Sequence, residues 1–369
     1  MSTPTNEAGQ TPAPFSPVPW TDTARQAQFE QWLSALAGGH GLQLPSLQVA
    51  SADASFRRYF RIQAANGPLI VVDAPPAHEN CEAFVKVAGL MRDAGMNVPH
   101  VLDWQREHGF MLLTDLGPHT WMQQLDASQP LQHLGDFGRA IDALIAWQSA
   151  SQAHVLPAYD QALLMRELQL FPDWYVAQHR GLSLSEAERQ TLDQAFATIV
   201  AHNLSVPQVY VHRDFMPRNL MLPANPQEQR LGVLDFQDAV HGPITYDIAS
   251  LMRDAFISWD EAFVLDVTVR YWERARRQGL LGTGELSTDF GLFWREVEWM
   301  GLQRHLKVAG IFARLGLRDH KPKYLADTPR FMAYIRATCS RYRELFPLLR
   351  LIDRIEGQSS VSGYAFGRV

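Results

Sequence analysis

The chain has 369 residues, of which 46% are hydrophobic, and its formal net charge is −6. This length predicts two or three domains, or one domain with two lobes, and the apolar fraction is ample for a core. The acidic balance argues against nucleic acid as the main partner, because duplex binding requires concentrated lysine and arginine.

No targeting segment and no membrane partner are predicted. The first twenty residues contain neither a basic residue nor an apolar run, so they do not form a secretory signal. No stretch has the roughly 20 continuous apolar residues of a membrane span. Cys81 and Cys339 lie far apart and fit neither a disulfide framework nor a metal site. We therefore expect a cytoplasmic protein, and nothing indicates an obligate protein partner.

Proline, serine and threonine dominate residues 1–22, which are predicted to be a disordered tail. A helix follows, since Phe29, Trp32 and Leu33 recur at helical spacing. The glycines after it, up to Gly41, are typical of a helix C-terminus. A phosphate-binding loop is less consistent with this position, because no strand precedes the glycines.

Residues 50–116 are predicted to form a small antiparallel sheet with one helix. The stretches 55–63 and 68–76 have strand-like apolar runs bounded by turn residues. Residues 79–95 have the apolar periodicity of a helix, and two further strands flank a turn near residues 107–109.

Long amphipathic patterns dominate from residue 118 onward, so the second part is predicted to be helical. The fold class is therefore α+β with two lobes and a cleft between them. The predicted units are an N-lobe over 23–117, a C-lobe over 118–355 and a tail over 356–369. The predicted helices cover 119–150, 158–180, 184–202, 246–278, 289–316 and 324–347, interrupted by a strand-containing stretch at 205–240.

The stretch VHRDFMPRNLML, residues 211–222, carries the strongest chemical signal. Two short apolar strands present Asp214 and Asn219 at loop ends, and a third strand ends in Asp235. Two carboxylates and an amide suit a hard cation such as Mg²⁺ and leave one carboxylate to accept a proton. Phosphoryl transfer needs this combination, although a buried loop whose polar groups bond turn amides is the alternative.

The spacing His212-Arg213-Asp214-x-x-x-x-Asn219 matches a kinase catalytic loop, and Asp235 begins a D-F-Q sequence where kinases have D-F-G. With residues 232–254, this stretch resembles the aminoglycoside phosphotransferase-like kinases, small-molecule relatives of protein kinases. The resemblance extends from about residue 51 to 350. It implies a bilobal kinase-like fold, with ATP and Mg²⁺ as cofactors.

Three other stretches resemble one group within that family: SFRRYFRI, IVVDAPP and FPDWYVAQH. The group consists of bacterial kinases that phosphorylate the anomeric hydroxyl of N-acetylmuramate and N-acetylglucosamine. The resemblance therefore implies a small amino sugar as substrate and a role in cell-wall recycling.

The resemblance also assigns roles to the loop residues. Asp214 would be the catalytic base, and Asn219 and Asp235 would hold Mg²⁺. His212 would brace the loop, as would Arg213, where many members of the family have glycine.

Two further assignments concern backbone positions. Thr114, Asp115 and Leu116 would form the hinge whose backbone groups meet the adenine. Asp247 opens the helical stretch YDIASLMRDA and is predicted to cap it.

The chain departs from the kinase pattern in its nucleotide-binding region. The stretch 51–59, with Ser55 and Phe56, replaces a glycine-rich loop, although its backbone N–H groups can still bind phosphate. The strand at 68–76 has no lysine, whose acidic partner would have been Glu79 or Glu82.

We expect another cation to replace this lysine. Arg58 and Arg61, on the neighbouring strand, are the candidates, because a guanidinium can bind phosphate in bidentate fashion, and Lys86 is weaker. The alternative is that these arginines face water.

The acceptor is predicted to be a small molecule. Only eleven residues separate Asp235 from Asp247, too few for the activation segment of a protein kinase. Five residues are weaker candidates for acceptor binding, with core packing or a solvated basic face as the alternative: Glu167, Trp174, Arg253, Arg304 and Lys307.

Two rival functions remain open from the sequence. One is a kinase of the same fold with choline, an aminoglycoside or another sugar as its acceptor. The other is a catalytically inactive nucleotide-binding scaffold, which the missing lysine and glycine loop favour but the intact Asp214, Asn219 and Asp235 oppose.

Overall fold

A computed structural model describes residues 20–51, 56–223, 225 and 227–358 of the chain. Ser55 and most of the two predicted tails lie outside the described residues. No helix within these described ranges is long and apolar enough to cross a membrane.

The N-terminal part contains the predicted antiparallel sheet with one helix against it. Its five strands follow the order β1-β2-β3-β5-β4, and the first of them was not predicted. The strands are β1 Gln48–Ser51, β2 Arg58–Ile62, β3 Leu69–Asp73, β4 Val101–Gln105 and β5 Phe110–Thr114, and the helix after β3 is α2 Cys81–Asp93.

The first helix, α1 Thr23–His40, covers the outer face of this sheet. Phe29 packs edge-on against Phe60 and Phe110, at ring-centroid distances of 5.6 and 5.3 Å. Gly41 ends the helix with φ of 61°, as predicted for a C-terminal glycine. The predicted disordered tail is wrong at its end, because Trp20 packs against Phe29 at 5.1 Å.

The alternation of side chains divides strand β2 between two environments. Phe60 and Ile62 belong to the small core beneath α1, so Arg58 lies on that outer face. Tyr59 packs against the main core on the inner face, which Arg61 shares.

The C-terminal part is helical, and the α+β bilobal fold is confirmed. Its longest helix, α8 Phe290–Leu317, has 28 residues and packs against α5, α6, α9 and the segment after α4. The helices are α3 Leu134–Ser149, α4 Gln161–Leu168, α5 Glu186–Leu204, α6 Thr245–Met252, α7 Glu261–Arg277, α8 Phe290–Leu317, α9 Thr328–Arg341 and α10 Phe346–Ile355.

Several predicted segments have different boundaries in the structure. The α-helix predicted over 119–150 begins only at Leu134, after two short 3₁₀ turns. The predicted helix over 246–278 is two helices, α6 and α7, separated by an irregular turn at 253–260. The predicted helix over 324–347 ends at Arg341, and α10 was missed. The predicted tail from 356 is wrong at its start, since Glu356 accepts a hydrogen bond from the Tyr175 hydroxyl at 2.9 Å.

Two short two-stranded antiparallel sheets carry the motif residues. Strand β6 Gln208–Val211 pairs with β9 Val240–Pro243, and β7 Leu220–Met221 pairs with β8 Gly232–Val233. The loop β6–β7 contains Asp214 and the loop β8–β9 contains Asp235, so the two pairings bring these loops together. A backbone hydrogen bond of 2.8 Å from Val233 N to Asn97 O joins β8 to the chain between α2 and β4.

A close approach fixes α8 against the end of α4. The predicted helix over 158–180 is α4 followed by the π-helical segment Phe171–His179. At Gly310 of α8, an added Cβ would lie 2.3 Å from the carbonyl oxygen of Leu170. Because real Cβ atoms do not approach an oxygen so closely, only glycine fits at this crossing.

We expect Gly310→Ala to lower the free energy of unfolding by roughly 3 kcal/mol, because the clash is with backbone. Gly89→Ala in α2 is the matched control, since nothing lies within 4 Å of its added Cβ. The control should gain about 0.5 to 1 kcal/mol through reduced unfolded-state entropy. Urea unfolding measures both variants, and equal stabilities would contradict the close approach.

Candidate active site

A buried histidine braces the loop that follows β6. The Nε2 of His212 lies 3.0 Å from the carbonyl oxygen of Leu234, and its Nδ1 accepts from Asp214 N at 3.2 Å. Burial lowers the pKa of His212 to about 4, so the ring is neutral. A neutral imidazole has one donor and one acceptor, which this pair of contacts uses. His212 therefore joins the loop of Asp214 to the end of β8.

Asp247 fixes the same loop through hydrogen bonds to its backbone. Its carboxylate accepts from His212 N at 2.7 Å and from Arg213 N at 3.0 Å. Burial raises its pKa to about 7, although these two donors act in the opposite direction. The predicted helix-capping role is wrong, because α6 begins at Thr245 and the carboxylate bonds the catalytic loop instead.

The loop has a left-handed residue at Arg213, whose φ is 77°. Glycine adopts this conformation freely, whereas a residue with a side chain is strained there. The bond from Arg213 N to Asp247 holds the strained backbone in place. The orientation of the Asp214 side chain depends on this turn.

The guanidinium of Arg304, on α8, lies close to Asp214. Its guanidinium donates to the carbonyl oxygen of Arg213 at 2.8 Å and lies 3.6 Å from the Asp214 carboxylate. Burial alone would raise the pKa of Asp214, but Arg304, Lys307 and Arg213 hold it below its usual value. Because 38% of its side chain stays exposed, Asp214 is an ionised, accessible carboxylate that can accept a proton.

Glu167 of α4 contacts several polar and charged side chains next to the loop. It accepts hydrogen bonds from the Tyr159 hydroxyl and from Arg213, and its carboxylate lies 3.1 Å from Lys307 Nζ. All these groups are buried or half-buried and bonded to one another. The network supports the loop, and of the members named here Arg213 lines the cleft.

These contacts correct all five predicted acceptor residues. Arg304, Lys307 and Glu167 are buried and bond to protein groups, which contradicts their predicted acceptor-binding roles as well as the alternative of a solvated basic face on α8. Arg253 is buried and donates to Glu298 at 2.7 Å, which excludes it from the acceptor site. Trp174 is half-buried against the main core, as the core-packing alternative held.

Asn219 connects the two predicted metal ligands with the catalytic loop. Its Nδ2 donates to the carbonyl oxygen of Asp214 at 2.9 Å and lies 3.3 Å from Asp235 Oδ2. Gln237 donates to the other Asp235 oxygen at 2.9 Å. The structure thus brings together the three residues that the motif singled out.

The donor set around Asp235 fits Mg²⁺. Burial raises the pKa of Asp235, and the charge of Asp214 raises it further, so a cation would relieve both effects. No group of three or more His, Cys, Asp or Glu residues with metal-site geometry occurs in the described part of the chain. Mg²⁺ needs no such group, because it binds one or two carboxylates together with waters and substrate phosphates.

The N-lobe supplies an ion pair that sequence reasoning missed. Arg57 Nη2 lies 2.9 Å from Glu79 Oε2, and both side chains are largely buried. Together with Tyr59, Arg213 and Asp235 they line a cleft of about 720 Å³ between the lobes. The alternation of the strand indicates the face of Arg57, which it shares with Tyr59 and not with Arg58, but it does not indicate the partner.

Both arginines predicted to replace the lysine have other partners. Arg58 donates to Asp73 at 2.8 Å and stacks on Trp20 at 3.6 Å, behind the sheet. Its prediction as a phosphate-binding residue is therefore wrong. Arg61 lies on the inner face, but it pairs with Asp115 at 2.5 Å and donates to Gly117 O at 3.1 Å. It thus belongs to the hinge and not to the phosphate region.

The predicted hinge lies at the junction of the lobes. Thr114 ends β5, and its hydroxyl accepts from His100 N at 2.9 Å. Leu116 packs on Gly232 of β8, where an added Cβ would lie 2.8 Å from its Cδ1. The contact of these backbone groups and of Asp115 with adenine stays a prediction.

Phe56 follows the undescribed residues 52–55. Its ring is 64% exposed and stacks on His78 at a centroid distance of 4.3 Å. This contact ties the start of β2 to the entrance of α2, beside the cleft. Its predicted role in nucleotide binding stays a prediction.

A comparison with protein-family models matches residues 46–280 to the phosphotransferase enzyme family. The chain belongs to this family. It is accordingly a small-molecule phosphotransferase, as the motif predicted, and the inactive-scaffold alternative is not retained.

Curated relatives match nearly the whole chain. It is 48% identical over 339 residues to the N-acetylmuramate/N-acetylglucosamine kinase of Pseudomonas aeruginosa, covering 90% of this chain and 97% of that protein. It is 44% identical over 345 residues to the kinase of the same name from Neisseria meningitidis, covering 93% and 99% respectively.

Solved structures share the fold at low sequence identity. A putative aminoglycoside phosphotransferase from Ralstonia eutropha has a TM-score of 0.57 at 15% identity, covering 88% of this chain and 98% of that one. The ethanolamine kinase of Plasmodium vivax has a TM-score of 0.58 at 11% identity, covering 89% of each chain. At these identities the likeness extends to the fold alone.

We expect Arg304→Met to lower the turnover number roughly 100-fold, because a misplaced Asp214 costs about that much. Nucleotide affinity should stay within about threefold, since Arg304 itself does not line the cleft. Steady-state kinetics with a nucleotide titration measures both quantities.

Arg295→Met on the same helix is the control, because Arg295 pairs near the surface with Glu344. It should leave turnover unchanged. Unaltered turnover in Arg304→Met would show that the contact with Asp214 has no catalytic consequence.

Proposed function

We propose that the protein is an ATP- and Mg²⁺-dependent kinase that phosphorylates the anomeric hydroxyl of N-acetylmuramate and N-acetylglucosamine. Such an enzyme would act in cell-wall recycling, in the cytoplasm where ATP is available. The observation that carries the proposal is the position of Asn219, bonded to the Asp214 carbonyl and close to the Asp235 carboxylate. One residue thereby connects a catalytic base with a cation ligand.

Asp214 is suited to orient the acceptor hydroxyl and take its proton. Its pKa is held low by Arg304, Lys307 and Arg213 against the effect of burial, so it is a weak base. A hemiacetal hydroxyl is more acidic than an ordinary alcohol and is therefore a matched proton donor. Arg304, 3.6 Å away, stabilises the carboxylate until the proton moves.

Asp235 and Asn219 are the residues that would hold Mg²⁺. Bound there, the ion would screen the negative charge of the triphosphate. Gln237 keeps the Asp235 carboxylate oriented through its bond of 2.9 Å. The left-handed φ of 62° at Asp235 directs the residue out of β8 and into the cleft.

The choice of acceptor is supported by the relatives and not by the fold. Aminoglycoside, choline and ethanolamine kinases share the architecture only at 11–17% identity. The curated relatives with 44–48% identity are kinases of N-acetylmuramate and N-acetylglucosamine, and the alignments span at least 84% of this chain. An amino sugar is thus favoured over the rival acceptors.

The direct test is incubation with ATP, Mg²⁺ and N-acetylmuramate, followed by phosphorus NMR of the product. A sugar phosphate whose phosphorus couples to the anomeric proton is expected. The same assay with N-acetylglucosamine, choline and an aminoglycoside identifies the preferred acceptor. Phosphorylation of choline or an aminoglycoside, but of neither amino sugar, would refute the proposal.

Asp214→Asn should lower turnover by about 10²- to 10⁴-fold, because the general base is lost. ATP affinity should change little, since the amide keeps the size of the side chain. Asp193→Asn, at an exposed position of α5, is the control and should keep full activity. Stopped-assay kinetics and equilibrium nucleotide binding give the two values. Substantial turnover in the Asp214 variant would rule out its role as base.

A further inference from the structure

The inner face of β3 offers no charge to a nucleotide. Ile70 and Val72 lie on this face and pack with the main core, whereas Asp73 points to the outer face with Arg25 and Arg58. A triphosphate carries several negative charges, and phosphoryl-transfer enzymes neutralise them with cationic side chains as well as metal. A cation must therefore come from another element.

Arg57 occupies a suitable place. It directly precedes β2 and shares the inner face with Tyr59, which pairs in register with Val72 of β3. Its side chain is 9% exposed, and its guanidinium is oriented by Glu79 at 2.9 Å. A largely buried arginine with a fixed carboxylate partner is preorganised for a second, anionic ligand.

Arg57 and the predicted metal ligand Asp235 line the same cleft, although they belong to different lobes. Tyr59, which shares the inner face of the sheet with Arg57, lines it as well. The two lobes thus contribute a cation and a carboxylate to the same cavity.

Other N-lobe cations are engaged away from this cavity. Arg58 is behind the sheet with Asp73, and Arg61 is at the hinge with Asp115. Lys86 of α2 donates to the carbonyl oxygen of Val155, at 2.5 Å. Among the described residues that line the cleft, the N-lobe contributes one guanidinium, that of Arg57.

We propose that Arg57, positioned by Glu79, binds the phosphates of the nucleotide. The ion pair that other kinases build from a β3 lysine is here moved to the start of β2. The inference rests on the proposed function only for ATP as the phosphoryl donor. A guanidinium can donate two parallel hydrogen bonds to phosphate oxygens, which a lysine cannot do.

The test compares the affinities of adenosine, AMP, ADP and ATP·Mg²⁺ for the wild-type protein and Arg57→Met by isothermal titration. A phosphate contact predicts that adenosine binds both proteins equally. ADP and ATP should bind the variant on the order of 10- to 100-fold more weakly, as for a lost hydrogen bond to a charged group. The smallest nucleotide that shows the loss identifies the phosphate concerned.

Arg58→Met is the matched control, because it removes the neighbouring guanidinium from the outer face of the sheet. It should leave the whole series unchanged. Unchanged ADP and ATP affinities in Arg57→Met would overturn the proposal. A parallel loss for adenosine would also overturn it, since the residue would then act only on the structure. If Arg57→Met does not fold, Arg57→Lys takes its place, with a smaller loss expected for ADP and ATP alone.

Glu79→Gln tests the positioning role through a double-mutant cycle. If Glu79 acts through Arg57, Glu79→Gln should weaken ATP binding in the wild-type background but not in Arg57→Met. Additive losses would contradict this role. No acceptor is present in these titrations, so a wrong acceptor assignment would leave the result intact and would appear only in the phosphorus NMR assay.

Discussion

The catalytic loop depends on one buried carboxylate. Asp247 accepts hydrogen bonds from two successive backbone N–H groups, those of His212 and Arg213. Without these bonds, the left-handed turn at Arg213 would have no compensation for its strain and two buried donors would be unsatisfied. The orientation of Asp214 and the position of Asn219, which bonds the Asp214 carbonyl, both follow from this turn.

The two carboxylates of the site have different surroundings. Arg304 and Lys307, near Asp214, are buried and bonded to protein groups, so they stay in place and lower the pKa of Asp214. Asp235, in contrast, lines the cleft, and the hydrogen bonds that the described residues make to its carboxylate come from the amides of Asn219 and Gln237. The charge of Asp214 is thus balanced by protein side chains, whereas Asp235 is suited to bind a cation.

The sequence predicted the parts of this arrangement that depend on local pattern. Asp214, Asn219 and Asp235 were found because strand ends next to polar residues have a recognisable spacing, and the sheet was found from apolar runs. The roles of Arg304 and Lys307 were misassigned, because helical spacing places them on a common face but does not say whether that face is buried. The break after Met252 was missed for a similar reason, since the apolar pattern continues through it.

Long-range pairing was the other information that the sequence lacked. Nothing local indicates that Arg58 meets Asp73 and Arg57 meets Glu79, although both pairs become plain once the faces of β2 are known. The bond from Asp247 to a loop 34 residues earlier is equally invisible in a local pattern.

The seam between the lobes has a mechanical consequence. Val233 N bonds Asn97 O, and Leu116 packs against Gly232 with no space for a side chain between them. Separation of the lobes here would break the β-bridge between Asn97 and Gly232, so the contact opposes such a separation. An opening that keeps this bridge intact would pivot there and would change the separation of Arg57 and Asp235, which belong to different lobes and line the same cleft. The distance between the Arg57 guanidinium and the Asp235 carboxylate is then the quantity that would report how far the cleft has opened.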